Sequence, residues 1–310
     1  MAFTIEEDGM MKVVRLSAEQ VAQVRVLTDL CQKQDGYSMA ARLDIGRMAT
    51  RPEDSVSDVL WYEQGQLVGF AGMNTYGDLS EVEAAILVHP AFRGRGIGHA
   101  VVRAVVRECQ MSGICRLLVV VPHESTAGAA LAAAMGARHA YSECTMDLDP
   151  ARVPPLEGVR DQVELRMSGE DDVPVMAAIV AAAFAEPVQE EEEALARLMR
   201  DPERVTYLAT QDGRPVGVIQ SVMDDGRAFI VHFAVRPDMQ GRGIGRQMLL
   251  AIVHGLLNSG RTWITIEVET ENVGALGLYQ HCGFVTVAVR DYERLDLPRI
   301  PRAPELLFGR

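Results

Sequence analysis

The sequence predicts an α/β (α+β) fold in which one domain with a mixed sheet occurs twice in tandem. Three observations lead to this prediction. The chain has 310 residues, which is the length of two ordinary domains. A glycine-rich stretch, FRGRGIGHA at 92–100, returns 147 residues later as MQGRGIGRQ at 239–247. Strand-like and helix-like segments also follow one another in the same order in both halves, which indicates an internal duplication.

A second pair of motifs keeps the same spacing and supports the duplication. Gly136 in MGA and Gly283 in CGF are also 147 residues apart, and GQLVGF at 65–70 matches GRPVGV at 213–218. The stretch between the copies, DLDPARVPPLEGVRD, contains three prolines and no periodicity, so it favours an extended connector. The predicted organisation is therefore a first domain at 1–148, a linker at 149–161 and a second domain at 162–310.

Each copy is predicted to contain a short strand, helical material, a strand pair, a third strand, the glycine-rich loop, a helix, a strand and a last helix. The helix after the loop is the clearest, because its apolar residues recur with the helical period in the same phase in both copies. These residues are Ile97, Val101, Val102, Val105, Val106 and Cys109, and then Ile244, Met248, Leu249, Ile252, Val253 and Leu256. Strands are predicted to follow at 115–122 and 263–270. In the second copy, EEEEALARLMR from Glu190 predicts a helix with an acidic first turn.

Composition and charge exclude several classes of protein. Hydrophobic residues make up 48% and charged residues 24% of the chain, and no apolar run reaches the ~18 residues of a membrane span. The acidic start, with Glu6, Glu7 and Asp8, is unlike a secretory signal, so we predict a cytoplasmic protein. The formal net charge is −13 and both halves are acidic, which disfavours nucleic acid. An acidic surface would attract an amine substrate, but the simpler interpretation is that the acidity keeps the protein soluble. Five cysteines without a CxxC pair predict neither a disulfide framework nor a metal site.

The glycine-rich stretch follows a strand and precedes a helix, an arrangement that directs several unpaired backbone N–H groups at one small volume. An anion is expected there, because glycines let phosphate oxygens approach the backbone closely. Two common nucleotide motifs do not fit: GxxxxGK[ST] is absent, and GxGxxG would place His99 or Arg246 at its sixth position. The pattern that fits is R/Q-x-x-G-x-G. It covers Arg93, Gly94, Arg95, Gly96, Ile97 and Gly98, and again Gln240, Gly241, Arg242, Gly243, Ile244 and Gly245.

This pattern resembles the pyrophosphate-binding loop of the GNAT superfamily of acetyl-CoA-dependent N-acetyltransferases. A second segment, ENVGALGLYQHCGF at 271–284, is similar to that family's N-x-x-A-x-x-L-Y-x-x-x-G-F motif. The resemblance spans nearly the whole chain as two tandem domains. It implies mostly antiparallel, twisted sheets flanked by helices. It also implies an enzyme that transfers an acetyl group from acetyl-CoA to a primary amine of a small molecule or a peptide N-terminus.

The resemblance also implies roles for particular residues of the second copy. Tyr279 matches the family's general acid, and Glu267, twelve residues earlier, matches the base of relatives that acetylate N-terminal amines. Glu269 and His232 remain alternatives as the base. The backbone from Phe233 through Ala234 to Val235 is expected to bind the thioester oxygen, and Asn272 to contact the coenzyme. Leu87 and Val88 hold the corresponding strand positions in the first copy.

The first copy keeps the loop but departs from the second motif. Alignment on Gly136 places Ser125 at the position of Asn272 and Ala132 at that of Tyr279. We therefore expect the first domain to bind acetyl-CoA without turnover or to serve as a scaffold. A protein that binds acyl-CoA as a sensor is the alternative to an enzyme. The acceptor and the acyl chain length stay open, as does the choice between a monomer and a homodimer.

Overall fold

The computed structural model describes residues 9–298 except 38, 40–42, 44, 54, 76–79, 157–162 and 225. The later part of the predicted linker, and with it the predicted start of the second domain, lies outside the described residues. The helices and strands up to the linker are β1 (Gly9–Val13), α1 (Ala18–Asp35), α2 (Ile45–Thr50), β2 (Asp58–Glu63), β3 (Gln66–Asn74), β4 (Glu81–Val88), α3 (Ile97–Met111), β5 (Arg116–Pro122), α4 (Thr126–Ala134) and β6 (Arg138–Leu148). Those after it are β7 (Glu164–Met167), α5 (Val173–Phe184), α6 (Val188–Leu198), β8 (Arg204–Gln211), β9 (Arg214–Asp224), β10 (Arg227–Val235), α7 (Ile244–Asn258), β11 (Ile264–Glu269), α8 (Val273–His281) and β12 (Phe284–Asp296).

The chain forms two compact units. Unit 1 consists of Met1–Ser142 and Arg290–Arg310, and unit 2 consists of Glu143–Val289. These limits differ from the predicted 1–148 and 162–310. The reason is that part of β6 and part of β12 form hydrogen bonds with strands of the other sequence repeat. Residues 143–147 of β6 pair with β11 in unit 2, and residues 290–296 of β12 pair with β5 in unit 1. The limits of the compact units therefore fall within the last strand of each sequence repeat, at 142/143 in β6 and 289/290 in β12.

Unit 1 contains a mixed sheet with helices on both faces. Strands β1 to β4 pair antiparallel in chain order, β4 and β5 pair parallel, and β5 pairs antiparallel with 290–296. Alternate residues of β5 enter two different cores, as a strand requires. Leu118 and Val120 pack with α1, whereas Val119 and Val121 pack with α3 and α4.

Unit 2 repeats this arrangement. Strands β7 to β10 pair antiparallel in chain order, β10 and β11 pair parallel, and β11 pairs antiparallel with 143–147. One core lies against α7 and α8, and the other lies against α5 and α6. The predicted mixed, mostly antiparallel sheets flanked by helices are confirmed in both units.

The two helices that follow the glycine-rich loops match their predicted faces. They cover 97–111 and 244–258, and their buried residues include Ile97, Val101, Val105, Ile244, Met248 and Val253. The helix predicted from the glutamate run is α6, which buries Leu195. Among the described residues, no helix combines the length and the apolar character that a membrane span requires.

Candidate active site

The two glycine-rich loops, 93–98 and 240–245, adopt the same backbone conformation. Gly94 and Gly96 have φ angles of 75° and 83°, and Gly241 and Gly243 have φ angles of 73° and 82°. This left-handed region favours glycine. A Cβ at any of the four positions would meet no atom within 4 Å, so the space beside each glycine is open. Helices α3 and α7 begin at the next residue, and their first N–H groups add the favourable end of the helix dipole.

The first residue of each loop braces it against the preceding strand. Arg93 Nε donates to the carbonyl oxygen of Val88, and Gln240 Nε2 donates to that of Val235, each at 3.0 Å. Arg93 also forms a two-point ion pair with Asp35 of α1, at 2.6 and 2.7 Å. Arginine and glutamine therefore make the same N–H contact with the strand, and the ion pair with Asp35 is an additional contact of the arginine.

The last helix of each copy, α4 or α8, packs directly on the helix that follows the loop. A Cβ on Gly98 would lie 3.3 Å from Leu131 Cδ2, and one on Gly245 would lie 3.4 Å from Leu278 Cδ2. Asn272, predicted to contact the coenzyme, caps α8 by accepting a hydrogen bond from the Ala275 N–H at 3.1 Å. Its side chain therefore fixes where α8 begins.

In unit 2 the two central parallel strands diverge just before the loop. Strands β10 and β11 pair from Ala228↔Ile264 to Ile230↔Ile266 and no further among the described residues. A β-bulge then shifts the pairing of β10 with β9 between Val231 and Ala234, and His232 within it has a φ angle of 45°. The predicted thioester-binding backbone, 233–235, lies on this divergent segment. Unit 1 has no such bulge, since β3 and β4 pair without a shift from Gly69↔Val88 to Asn74↔Glu83.

Tyr279 reaches the divergent segment from α8. Its side chain is 7% exposed, and its ring stacks on Phe233 with the centroids 6.1 Å apart and the planes at 24°. Phe284 packs on it at 6.3 Å. Burial raises the pKa of Tyr279 to about 12, with a smaller contribution from Cys282. The phenol is therefore protonated at neutral pH and can donate a proton.

The base candidates lie on the opposite face of the same sheet. Glu267, Glu269 and His232 line a cleft of about 580 Å³ beside α5 and α6. Tyr279 packs in the core against α7 and α8 and does not line this cleft. The acid and base candidates thus approach the divergence of β10 and β11 from opposite faces. Thr145 Oγ1 donates to Glu267 Oε1 at 3.0 Å, which orients that carboxylate.

The cleft is strongly acidic, and sequence reasoning missed three of its carboxylates. Glu143, Glu186 and Glu191 line it together with the two glutamates of β11, and no lysine or arginine is among the described residues that line it. Burial raises the pKa of Glu191, and the charges of Glu186 and Glu190 raise it further. The only sequence signal was the glutamate run that begins α6.

His232 is a neutral imidazole in this cleft. Burial lowers the pKa of His232 to about 4, and the positive charge of Arg204 contributes in the same direction. Its Nδ1 atom is buried and has no hydrogen-bond partner among the described residues. The unused nitrogen keeps His232 an alternative to Glu267 by position, although a pKa of about 4 makes the ring a weak proton acceptor at neutral pH.

These features define a class: tandem-domain transferases with a glycine loop that precedes a helix and a split pair of parallel strands. The model of the Acetyltransferase (GNAT) family matches residues 26–137 and 174–284. The chain belongs to the GNAT acetyltransferase family, and the predicted enzyme class, N-acetyltransferase, is confirmed.

Curated relatives and solved structures agree with this assignment. The mycothiol acetyltransferase of Rhodococcus jostii is 29% identical over 290 residues, which cover 87% of this chain and 93% of the relative. That of Streptomyces coelicolor is 27% identical over 296 residues, with 88% and 91% covered. A GCN5-related N-acetyltransferase from Sphaerobacter thermophilus superposes with a TM-score of 0.78 at 20% identity, covering 94% and 97%. A tandem GNAT protein from the clavulanic acid biosynthesis pathway gives 0.71 at 19% identity, covering 94% and 99%. At these identities the two structures show the fold alone.

Proposed function

We propose that unit 2 transfers an acetyl group from acetyl-CoA to a primary amine of a small molecule or a peptide N-terminus. The observation that carries this proposal is the divergence of β10 and β11. A protonated phenol reaches it from one face, and a carboxylate-lined cleft opens on the other. Acetyl transfer to an amine needs a group that accepts a proton from the amine and a group that donates one to the departing sulfur.

The residues of unit 2 fit the donor substrate. The open, left-handed loop at 240–245 can direct its N–H groups and the start of α7 at a diphosphate. When bound, acetyl-CoA supplies an acetyl group that is already activated as a thioester. Beyond Ile230 the backbone of β10 has left the ladder with β11. Its N–H groups at 233–235 are our candidates for stabilising the developing negative charge on the thioester oxygen.

The proton transfers follow from the two faces of the sheet. Glu267, held by Thr145, accepts a proton from the ammonium group of the acceptor, and the freed nitrogen lone pair attacks the acetyl carbon. Tyr279 donates its proton to the departing thiolate sulfur of coenzyme A. Glu269 and neutral His232 are the rival bases, and the substitutions described in the Discussion separate the glutamates.

We expect the acceptor to be a cationic amine. Five carboxylates line the cleft, and such a site concentrates cations and disfavours anions. The similarity to mycothiol acetyltransferases over 87% of the chain favours an amino-sugar thiol as one specific acceptor, as does the tandem architecture, which is similar to that of mycothiol synthase.

Unit 1 keeps a coenzyme loop but lacks the groups for transfer. Val120 occupies the position that corresponds to Glu267, and Ala132 the position that corresponds to Tyr279. We propose that unit 1 binds a coenzyme A thioester and does not turn it over.

The proposal is tested by incubating the chain with acetyl-CoA and a panel of amines while free thiol is measured. The panel contains polyamines, aminoglycosides, amino-sugar thiols, whose own thiol is blocked or subtracted, and peptides with a free N-terminus. We expect release of coenzyme A and an acetylated product by mass spectrometry with at least one amine. Binding of acetyl-CoA without release for any amine would instead support a sensor.

A further inference from the structure

Unit 1 contains a cavity that the proposed transfer reaction does not use. Its volume is about 450 Å³, and it begins at the glycine loop. Its wall includes Ile97, Val119 and Val121, which belong to the core under α3. The wall also includes Cys31, Met39, Leu87 and Val120, which belong to the core under α1. The cavity therefore has walls on both faces of the sheet.

The opening through the sheet lies where β4 and β5 separate. Their last described pair is Ala85↔Val120, after which β4 continues to Val88 and the loop. In unit 2 the corresponding divergence is where we place the reacting thioester. A thioester bound at the loop of unit 1 would therefore direct its acyl group at the part of the cavity beside α1.

The strand residues that line this part of the cavity, Leu87 and Val120, are apolar, in contrast to the acidic cleft of unit 2. Val120 stands in the place of Glu267, and Pro122 in the place of Glu269. Thr28, Cys31, Gln32 and Tyr37 also line the cavity on this side. Thr28 Oγ1 donates to the Val24 carbonyl at 2.8 Å, and Cys31 Sγ donates to the Val88 carbonyl at 3.5 Å. Burial raises the pKa of the Cys31 thiol, so it is uncharged.

The charged residues of the cavity wall lie beside the loop and border Cys31, because Arg93 Nε and Cys31 Sγ both donate to the Val88 carbonyl oxygen. Arg93 and Asp35 form their ion pair beside the loop, and the N–H groups of the loop face the same region. The cavity therefore runs from a polar end suited to a diphosphate to an apolar end suited to a hydrocarbon chain. A cationic amine has no carboxylate to meet at the apolar end.

We propose that unit 1 is a non-catalytic site for a coenzyme A thioester whose acyl chain is longer than acetyl. The chain lies in the acyl chamber formed by Met39, Leu87 and Val120. This inference rests on the proposed function of the glycine loops. Burial of one CH₂ group is worth about a fourfold gain in affinity, so butyryl-CoA should bind at least ~10-fold more tightly than acetyl-CoA.

The test measures binding of acetyl-, butyryl- and hexanoyl-CoA by isothermal titration calorimetry. The full chain carries Gly243→Val, which places a branched side chain in the open space beside that glycine of the unit 2 loop. We expect one equivalent of thioester to bind, with butyryl-CoA at least ~10-fold tighter than acetyl-CoA. Equal affinity for the three thioesters, or no binding of any, would overturn the inference. Release of coenzyme A by the wild-type chain from the same preparation reports separately on the proposed function.

A second variant tests the chamber itself. Val120→Glu, made in the Gly243→Val chain, introduces the residue that unit 2 has at the corresponding position. We expect it to abolish the preference for butyryl-CoA over acetyl-CoA, because burying a carboxylate beside a hydrocarbon chain is unfavourable. The matched control is Val26→Glu on α1, which is 58% exposed and should leave the preference intact. An unchanged preference in a folded Val120→Glu chain would contradict the chamber, and the chain-length series remains decisive if that variant does not fold.

Discussion

Replacement of Tyr279 by phenylalanine isolates the proposed proton donor. The ring is buried between Phe233 and Phe284, with centroid distances of 6.1 and 6.3 Å, and phenylalanine fills the same space. We therefore expect the free energy of unfolding to stay within about 1 kcal/mol of the wild type. Loss of a general acid costs ~10²- to 10⁴-fold in rate, and a thiolate needs little help to leave, so we expect kcat to fall about 10²-fold.

The assay follows coenzyme A release at saturating amine and gives kcat and KM for acetyl-CoA. The dissociation constant for acetyl-CoA should change less than about twofold, because the hydroxyl acts on the leaving group and not on the coenzyme. Tyr207→Phe, on β8 of the same unit, is the matched control and should keep full activity. If Tyr279→Phe keeps a third or more of wild-type kcat between about pH 6 and 10, Tyr279 is not the acid.

The pH profile gives a second view of the same group. The acid works in its protonated form, and a pKa raised to about 12 extends that form upward, so it is lost only as the pH approaches 12. His232, with its pKa lowered to about 4, is neutral across the same range. We therefore expect no descending limb of kcat below about pH 10. A descending limb near pH ~8 that disappears in Tyr279→Phe would show an acid with a lower pKa than its burial requires.

Further substitutions come as matched pairs. Glu267→Gln should lower kcat about 10²-fold in the coenzyme A release assay and Glu269→Gln less than about threefold, since only the first loses the oriented base; the reverse order would move the role to Glu269. A Cβ on Gly217 would lie 2.6 Å from Met248 Sδ and 2.9 Å from a backbone oxygen, so Gly217→Ala should lower the free energy of unfolding by about 1–3 kcal/mol in urea titrations. A Cβ on Gly255, inside α7, meets nothing within 4 Å, so Gly255→Ala should raise it by about 0.5–1 kcal/mol. Similar shifts in both glycine variants would contradict this packing.

The features that sequence alone predicted are local. Both loops and the helices after them depend on residues within about one turn of each other, such as the glycines at 94, 96, 241 and 243 with φ angles of 73–83°. The buried faces of α3 and α7 follow from the helical period for the same reason. Fold class and family could therefore be predicted from a few short segments.

The features that the sequence did not predict are non-local. The limits of the compact units depend on which strands pair, and residues 143–147 and 290–296 pair far from their repeat neighbours. The bulge at His232 places a non-glycine residue at a φ angle of 45°, which nothing in AFIVHFAV indicates. The acidic cleft combines Glu143, Glu186 and Glu191 from separate segments with two glutamates of β11. Only three-dimensional packing brings these carboxylates together.

Matched valine substitutions of Gly96 and Gly243 test most directly whether catalysis depends on the glycine loop of unit 2 and not on that of unit 1. Their φ angles are 83° and 82°, and a Cβ on either meets nothing within 4 Å, so a valine carries the same strain and the same steric block at both. The measurement is kcat/KM for acetyl-CoA from coenzyme A release. Loss of one or two backbone donors to a diphosphate should lower it at least ~10-fold in Gly243→Val, whereas Gly96→Val should stay within about threefold of the wild type. Equal losses in the two variants, or a larger loss in Gly96→Val, would contradict catalysis by unit 2.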